Sequence, residues 1–424
     1  MQKNYFGIVA LVVLVGVLVG GYFAYQYVKF HPPAFLIKLL TATKPPPPLP
    51  IGDAAPLTVP EGFSATIFAR DVSGARVMTR DPKGTMLVSQ TGEGKVVALP
   101  DLDSDGKADK VVTVLENLKQ PHGIVVTCPS TGNASADLPD RQAGQDGCVL
   151  YVAETGELKV YTYDADTYTA TYQKILTTFP TGSGHFTRTL LLEPSGTKLL
   201  AAIGSSCNSC EEEDARRARI QEIDLLSGAM TSFATGLRNS VFMAFHPVTG
   251  AVWATENSRD LIGDDIPPDE INVIEKGKDY GWPLCYGQNV HDTDFDKSTQ
   301  NPCTDKTPAR IDLQAHSAAL GLAFVPEEGW PEEYWHDIIV AYHGSWNRSE
   351  PTGYKVVRFD FSNDGILLDQ FPTDFITGFL PEGGDENSAI GRPVGVMAEP
   401  GGVVYISDDH AGAIYKIALT QEAM

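Results

Sequence analysis

The chain has 424 residues, 42% of them hydrophobic, enough apolar side chain to fill either several ordinary domains or one large β-architecture. Its 32 basic residues stand against 54 acidic ones, a formal charge of -22. That balance excludes the basic footprint that nucleic-acid binding needs and leaves a neutral sugar or alcohol open as substrate.

From Phe6 to Val28 the sequence FGIVALVVLVGVLVGGYFAYQYV carries no charge, and its 23 residues are long enough to cross a hydrocarbon core as a helix. No A-x-A cleavage site follows, so residues 1–30 are read as a retained transmembrane signal-anchor rather than a removed leader. Lys3 alone precedes the run, whereas Lys29 and Lys38 follow it, which taken by itself would hold the body on the cytoplasmic side. The cysteines argue for the other side. Cys128 and Cys148, Cys207 and Cys210, and Cys285 and Cys303 form local pairs, an even count that suggests disulfides and an oxidising compartment. The C-N-S-C pair does not fit haem attachment, because Glu211 stands where a His is required, and no second ligand pair completes a zinc site. The expectation is a single-pass anchor in the cytoplasmic membrane with the body on its periplasmic, extracytoplasmic side. Residues 31–55, with prolines at 45–48 and 50, read as a semi-rigid polyproline linker that stands the body off the membrane.

From residue 56 to the end the chain repeats one signature, an apolar strand, a polar turn with Gly, and a second strand. It occurs at MLVSQTGEGKVVALPD, LYVAETGELKVYTYD, LLAAIGSSCNSC with RIQEIDL, VWATENSRD with EINVIEKG, IIVAYHGSWN with YKVVRFDF, and VYISDDHAGAIYKIAL. Six irregularly spaced hairpins predict an all-β fold, a six-bladed β-propeller whose blades carry insertions of different length. The strand FSATIFA near Phe63 has no hairpin of its own and is expected to complete the last blade and close the ring. Between the first two hairpins, Asp101, Asp103, Asp105 and Gly106 have the spacing of a Ca2+ loop, but Val112 replaces the twelfth-position Glu. A structural cation and a solvated Asp-Gly turn both remain open there.

A propeller gathers the ends of its inner strands around one axial funnel, so residues recurring next to strand ends are the candidates for chemistry. His122 in LKQPHGIVV and His185 in GSGHFTRTLLL precede strands in the same phase; His316, and His343 with Trp346 and Arg348 in HGSWNR, and Arg392 in GRPVGVM add to them. Arg238 and Asn239 precede VFMAFHP, and the carboxylates Asp260, Asp264, Asp265, Asp269 and Glu270 follow, oxygen ligands of the kind that hold Ca2+.

The pattern G-x-R-N, E-N-x-R-D, D-E-I-N, Y-G-W-P, together with PHGI, GHFTR, HGSWNR and GRPVGV, resembles the PQQ-dependent sugar dehydrogenases of the soluble glucose, aldose and sorbosone dehydrogenase group, the sorbosone-type branch most closely. The resemblance spans nearly the whole body. It implies a quinoprotein that oxidises sugars or related polyols and aldehydes, with PQQ and Ca2+ as cofactors and a quinone or cytochrome as electron acceptor. In its terms His185 is the base that takes the hydroxyl proton, and Arg238, with Asn239, contacts the quinone and stabilises the oxyanion formed on reduction. Arg392 meets the quinone's carboxylates, and His122, His343, Trp346 and Arg348 complete the cofactor pocket. The backbone oxygens of Ser258 and Arg259 fall where a catalytic Ca2+ is held, and Glu270 and Tyr280 match a second, structural Ca2+ site. One departure stands out. Where the family has an acidic partner for the catalytic His, IGSSC offers only Ser205 and Ser206.

The residue types agree with that chemistry on their own terms. Removing an O–H proton and a hydride needs a base near neutral pKa and a two-electron sink, and side chains supply only the base. No G-x-G-x-x-G follows a first strand, against a nicotinamide or flavin domain. Two other readings remain, a Ca2+-dependent lactonase or esterase propeller and a non-catalytic propeller that binds a protein or glycan. The first would place single Glu, Asn and Asp residues at strand starts, where this chain has His and Arg.

Overall fold

The computed structural model describes residues 2–30, 44–128 and 147–420, with helix side chains described from 14 to 28. Among the described residues, six four-stranded antiparallel sheets make up the body, with a two-stranded pair, Cys285–Tyr286 and Val290–His291, beside them. In order from the inside of each blade outward they are Ala75–Arg80, Met86–Gln90, Lys95–Leu99 and Val112–Leu115 (blade 1); Ile124–Thr127, Cys148–Ala153, Glu157–Asp164 and Thr169–Thr178 (blade 2); Arg188–Leu192, Lys198–Ile203, Arg219–Asp224 and Met230–Thr235 (blade 3). Blade 4 comprises Ser240–Phe245, Val252–Glu256, Glu270–Ile274 and Ile311–Asp312; blade 5 comprises Ala319–Phe324, Ile338–Tyr342, Lys355–Phe359 and Thr373–Ile376. Blade 6 joins Pro393–Glu399, Val403–Asp408 and Ala413–Leu419 to Phe63–Ala69 from the start of the body. The first strands of neighbouring blades touch one another around the axis. All six hairpins read from the sequence are the second and third strands of a blade.

The strands are apolar runs rather than alternating ones because both faces of every sheet are covered. In blade 3, Leu199, Ala201 and Ile203 face the core shared with blade 2, while Leu200 and Ala202 face the core shared with blade 4. Each pair of neighbouring blades encloses one such core, which makes six around the ring.

Phe63–Ala69 pairs antiparallel with Ala413–Leu419, Phe63 opposite Leu419, so the last blade is closed by the first strand as expected. Phe63 also packs edge-on against Tyr334 and Phe375 of blade 5 at ring separations of 5.5 and 5.4 Å. Phe63→Ala is therefore expected to remove about 3 kcal/mol from unfolding stability, measured by denaturant titration, because it hollows the seam that holds the ring shut. An unchanged midpoint would mean that the ring does not depend on this seam.

The helix at the N-terminus spans Gln2–Phe30. Among the described residues no helix is long and apolar enough to cross a membrane. The transmembrane expectation gains no support from the described residues. The linker does not stand free along its whole length. Leu49 and Ala55 pack on the core between blades 5 and 6, and Arg70 Nη2 donates to the Pro50 and Gly52 carbonyls. The three disulfides join the cysteines that lie near one another in sequence, 128 to 148, 207 to 210 and 285 to 303.

Candidate active site

One end of the axis is lined by the residues just before each inner strand and just after each second strand. His122, His185, Arg238, Asn239, His316 and Arg392 all take the first position, and His343 takes the second. Apart from His316, these side chains gather into two polar groups with His122 between them.

The first lies over blades 3 and 4. His185 Nδ1 is 3.1 Å from the Ser205 carbonyl oxygen and 3.0 Å from Ser205 Oγ. The carbonyl can only accept, and the Ser205 hydroxyl donates its own hydrogen to Cys207 O at 2.7 Å. Nδ1 must therefore carry the proton, which leaves Nε2 with a free lone pair. Burial, and then the charge of Arg238, with Arg217 and Arg188, hold the imidazole well below its ordinary pKa. The serine thus replaces the acidic partner and fixes the tautomer without adding a charge. Gly204 is required beside it, since a Cβ there would stand 2.6 Å from both Asn239 Oδ1 and His185 Cβ. Gly184, at φ +88°, likewise lets His185 lie against the Ser205–Ser206 backbone.

Arg238 is buried and its fork is fully engaged. Nε donates to Asn208 O at 2.9 Å, Nη2 to Asn208 Oδ1 at 2.9 Å and to Asp260 at 3.1 Å, and Nη1 to the carbonyls of Asn257 and Ser258 at 3.1 and 2.7 Å. Its five N–H hydrogens are matched by five acceptors. Asn239 N donates to Glu256 Oε1 at 2.5 Å and Ser240 Oγ to Oε2 at 2.6 Å. Burial pushes the Glu256 carboxyl up to about 8, against the pull of these donors.

The second group joins blades 5, 6 and 1. Asp409 receives Arg76 Nη1 at 2.6 Å and His343 Nε2 at 2.9 Å. Burial alone would raise this carboxyl, but His343, Arg76 and Arg392 together hold it well below the carboxylate range. Burial, and then Arg392, lower His343 to about 4, so a neutral His343 donates from Nε2 to an ionised Asp409. Arg392 donates to the carbonyls of His343 and Gly344 at 3.1 and 2.5 Å. His122 sits between the groups and feels the charges of Arg76 and Arg188. The Arg76 guanidinium lies 5.8 Å from the ring centre of Phe186, the neighbour of His185, so the two groups face each other across the axis.

Several expected residues do not join these groups. Arg348 is spent on Asp264 O, Asp265 and Ala315 O. Trp346 is half-buried on the same segment. His316 Nε2 donates to Gly263 O and Ile266 O, bracing that loop. The Arg259 side chain pairs with Asp292 at 2.8 Å and Asp294 at 2.9 Å and is buried. It lines a small polar cavity with Glu256, Glu270 and Asp292. Glu270 accepts from Gly287 N and Asn272 Nδ2, and burial pushes it up to about 7. The Tyr280 hydroxyl donates to Val273 O at 2.5 Å. On the rim of blade 1, Asp101, Asp103 and Asp109 draw their carboxylates together, whereas Asp105 Oδ1 caps Lys107 N. Arg76, Asp409 and Asn208 were not singled out in the sequence; Asp409 follows its second strand as His343 does, whereas Arg76 is the second residue of its inner strand.

A family model described as TrAA12-like matches residues 57–420. A pyrroloquinoline quinone-dependent sugar dehydrogenase of Hypocrea jecorina is 31% identical over 173 residues, 33% of this chain and 40% of that protein. A pyrroloquinoline quinone-dependent pyranose dehydrogenase of Coprinopsis cinerea is 27% identical over 327 residues, 63% of this chain and 44% of that protein. The chain thus spans less than half the length of these two relatives. The iodide structure of a Trichoderma reesei carbohydrate-active enzyme of family AA12 superposes with a TM-score of 0.70 at 22% identity, covering 88% of this chain and 100% of that one.

Proposed function

The chain belongs to the TrAA12-like family, and from that membership we propose that it is a PQQ-dependent dehydrogenase oxidising sugars or related polyols and aldehydes. The observation that carries the reading is the axial pairing of a proton-accepting imidazole, His185, with buried guanidiniums from three blades, Arg76, Arg238 and Arg392.

The pocket suits a polyanionic redox ring. Arg76 Nε, a donor, and His122 Nε2, an acceptor once Nδ1 is engaged by Thr189 Oγ1, are buried without hydrogen-bond partners. Buried polar atoms left this way call for a ligand or a water. A carboxylate satisfies the Arg76 guanidinium, and an N–H group satisfies the imidazole. When bound, PQQ would supply the two-electron sink that side chains lack. His185 Nε2 takes the substrate hydroxyl proton, and Ser205 keeps the ring turned toward it. Arg238 contributes a fixed positive charge beside the base. We place one Ca2+ at the Ser258 and Arg259 carbonyls; Ser258 O already accepts from Arg238, and its second lone pair remains for a ligand bond. Our reading keeps Ca2+ to that position. Beside Glu270 the Arg259 guanidinium already supplies the positive charge, and the Tyr280 hydroxyl is turned to Val273 O.

We further propose that the body works on the extracytoplasmic side of the cytoplasmic membrane, tethered by residues 1–30, and passes electrons to a membrane quinone or a cytochrome. Three disulfides support the oxidising side. The test is to add PQQ and Ca2+ to the full-length apo-protein in detergent and follow dye reduction with a panel of aldoses and polyols. Reduction that needs PQQ is expected, and prior chelation should suppress it. Lactone hydrolysis without PQQ, with no dye reduction, would replace the reading by a hydrolase.

A further inference from the structure

We propose that the loop Ser205–Cys210, closed by the Cys207–Cys210 disulfide, is the device that sets the base and the guanidinium of the site against each other, with Asn208 as its positioning residue. The proposal rests on the quinoprotein reading and adds to it a control point that lies outside the reacting groups.

Three parts of the site converge on these six residues. Ser205 holds the base, through its carbonyl and hydroxyl on His185 Nδ1, and its own N–H donates to Arg238 O at 2.7 Å. Asn208 holds the guanidinium edge-on, its main-chain oxygen on Nε and its side-chain oxygen on Nη2, both at 2.9 Å. The same side chain ties down the turn that carries the Ser258 and Arg259 carbonyls: Asp260 N donates to Asn208 Oδ1 at 2.8 Å, and Asn208 Nδ2 donates to Asp260 O at 3.0 Å.

A long arginine side chain loses rotamer entropy when it is fixed, and a two-point clamp on Nε and Nη2 fixes the guanidinium plane as well as its place. The clamp is effective only if Asn208 itself cannot move. Asn208 is 4% exposed and Ser205 0% exposed, and the disulfide closes the loop around Asn208 and Ser209. Outside the ring, Ser206 N and Oγ both donate to Glu212 at 2.7 Å, which pins the other shoulder of the loop. Alanine at 208 frees one guanidinium donor and the Asp260 turn together. Serines at 207 and 210 free the whole loop.

The charged groups around His185 are Arg238, Arg217 and Arg188, and all three disfavour its protonation. Loosening Arg238 alone leaves the other two, so the base should become easier to protonate while remaining a base. Three proteins are compared with wild type: Asn208→Ala, the pair Cys207→Ser/Cys210→Ser, and the pair Cys128→Ser/Cys148→Ser. The last disulfide lies beyond the far end of the blade 2 strand that begins next to His122, and serves as a control. PQQ affinity is measured by direct titration of apo-protein, and the acid limb of kcat/KM by dye reduction. Wild type and the 128/148 pair should bind PQQ alike. Asn208→Ala and the 207/210 pair should bind at least about tenfold more weakly, with the acid limb moved up by about one pH unit. Wild type that fails to bind PQQ would overturn the quinoprotein reading and this proposal with it. Wild type that binds, with Asn208→Ala matching it in both affinity and acid limb, would overturn the positioning role alone.

Discussion

His185→Ala is expected to lower kcat for PQQ-dependent sugar oxidation by about 10²- to 10⁴-fold, the usual contribution of a positioned general base, while PQQ still binds to the apo-protein. The base is identified by hydrogen-bond direction rather than by proximity. The Ser205 carbonyl and hydroxyl oblige Nδ1 to donate, so the lone pair is on Nε2. The pH dependence follows with a definite sign. The imidazole acts when neutral, and burial and Arg238 lower its pKa, so protonation, and the loss of rate that goes with it, comes only below the ordinary range near 6.5. An acid limb at or above that range in wild type would contradict this environment. Loss of PQQ binding in the alanine variant would instead make His185 part of the cofactor pocket.

The ring was legible in the sequence because each blade repeats one hairpin with a polar turn, and the closing strand because FSATIFA lacked a partner. The site was legible in part for the same reason. Aligning the second strands puts His343 and Asp409 in one phase, each one residue past its strand, whereas Arg238 and Arg392 stand before their inner strands and Arg76 is the second residue of its own. Asp409 could have been found by that alignment and Arg76 could not, and a search for recognisable motifs passes over both, since neither GARVM nor SDDH is distinctive. Asn208 had no such signal. It acts from an insertion between strands, and only the fold shows that Arg238, 30 residues further on, ends in its grasp. Arg259 entered the reading for its main-chain oxygen, and the pairing of its buried side chain with Asp292 and Asp294 had no signal in the sequence. Arg348 turns to Asp264 O, Ala315 O and Asp265, a direction that its position next to the funnel does not reveal.

Arg76→Ala is expected to weaken PQQ binding by about 10²-fold or more, and Asp409→Asn on the same background to recover much of the loss. Arg76 and Asp409 are a buried pair, with side chains 10% and 20% exposed and 2.6 Å between their atoms. Removing the guanidinium does two things at once. It deletes a donor for the cofactor's carboxylates, and it leaves Asp409 ionised in a pocket built to receive anions, where truncating one partner of a buried pair costs about 2–5 kcal/mol. The second substitution removes the repulsion but not the lost donor, so the double variant should bind between wild type and Arg76→Ala. Asp409→Asn alone removes a negative charge and frees Arg76, and should bind PQQ at least as well as wild type. His343 gives an independent readout. It donates to Asp409 across 2.9 Å and loses that charged acceptor in either asparagine variant. Isothermal titration of the four apo-proteins with PQQ closes the cycle. Additive losses, with Asp409→Asn giving no recovery, would mean that Arg76 and Asp409 do not act together on the cofactor and that the axial charge lies on Arg238 and Arg392 alone.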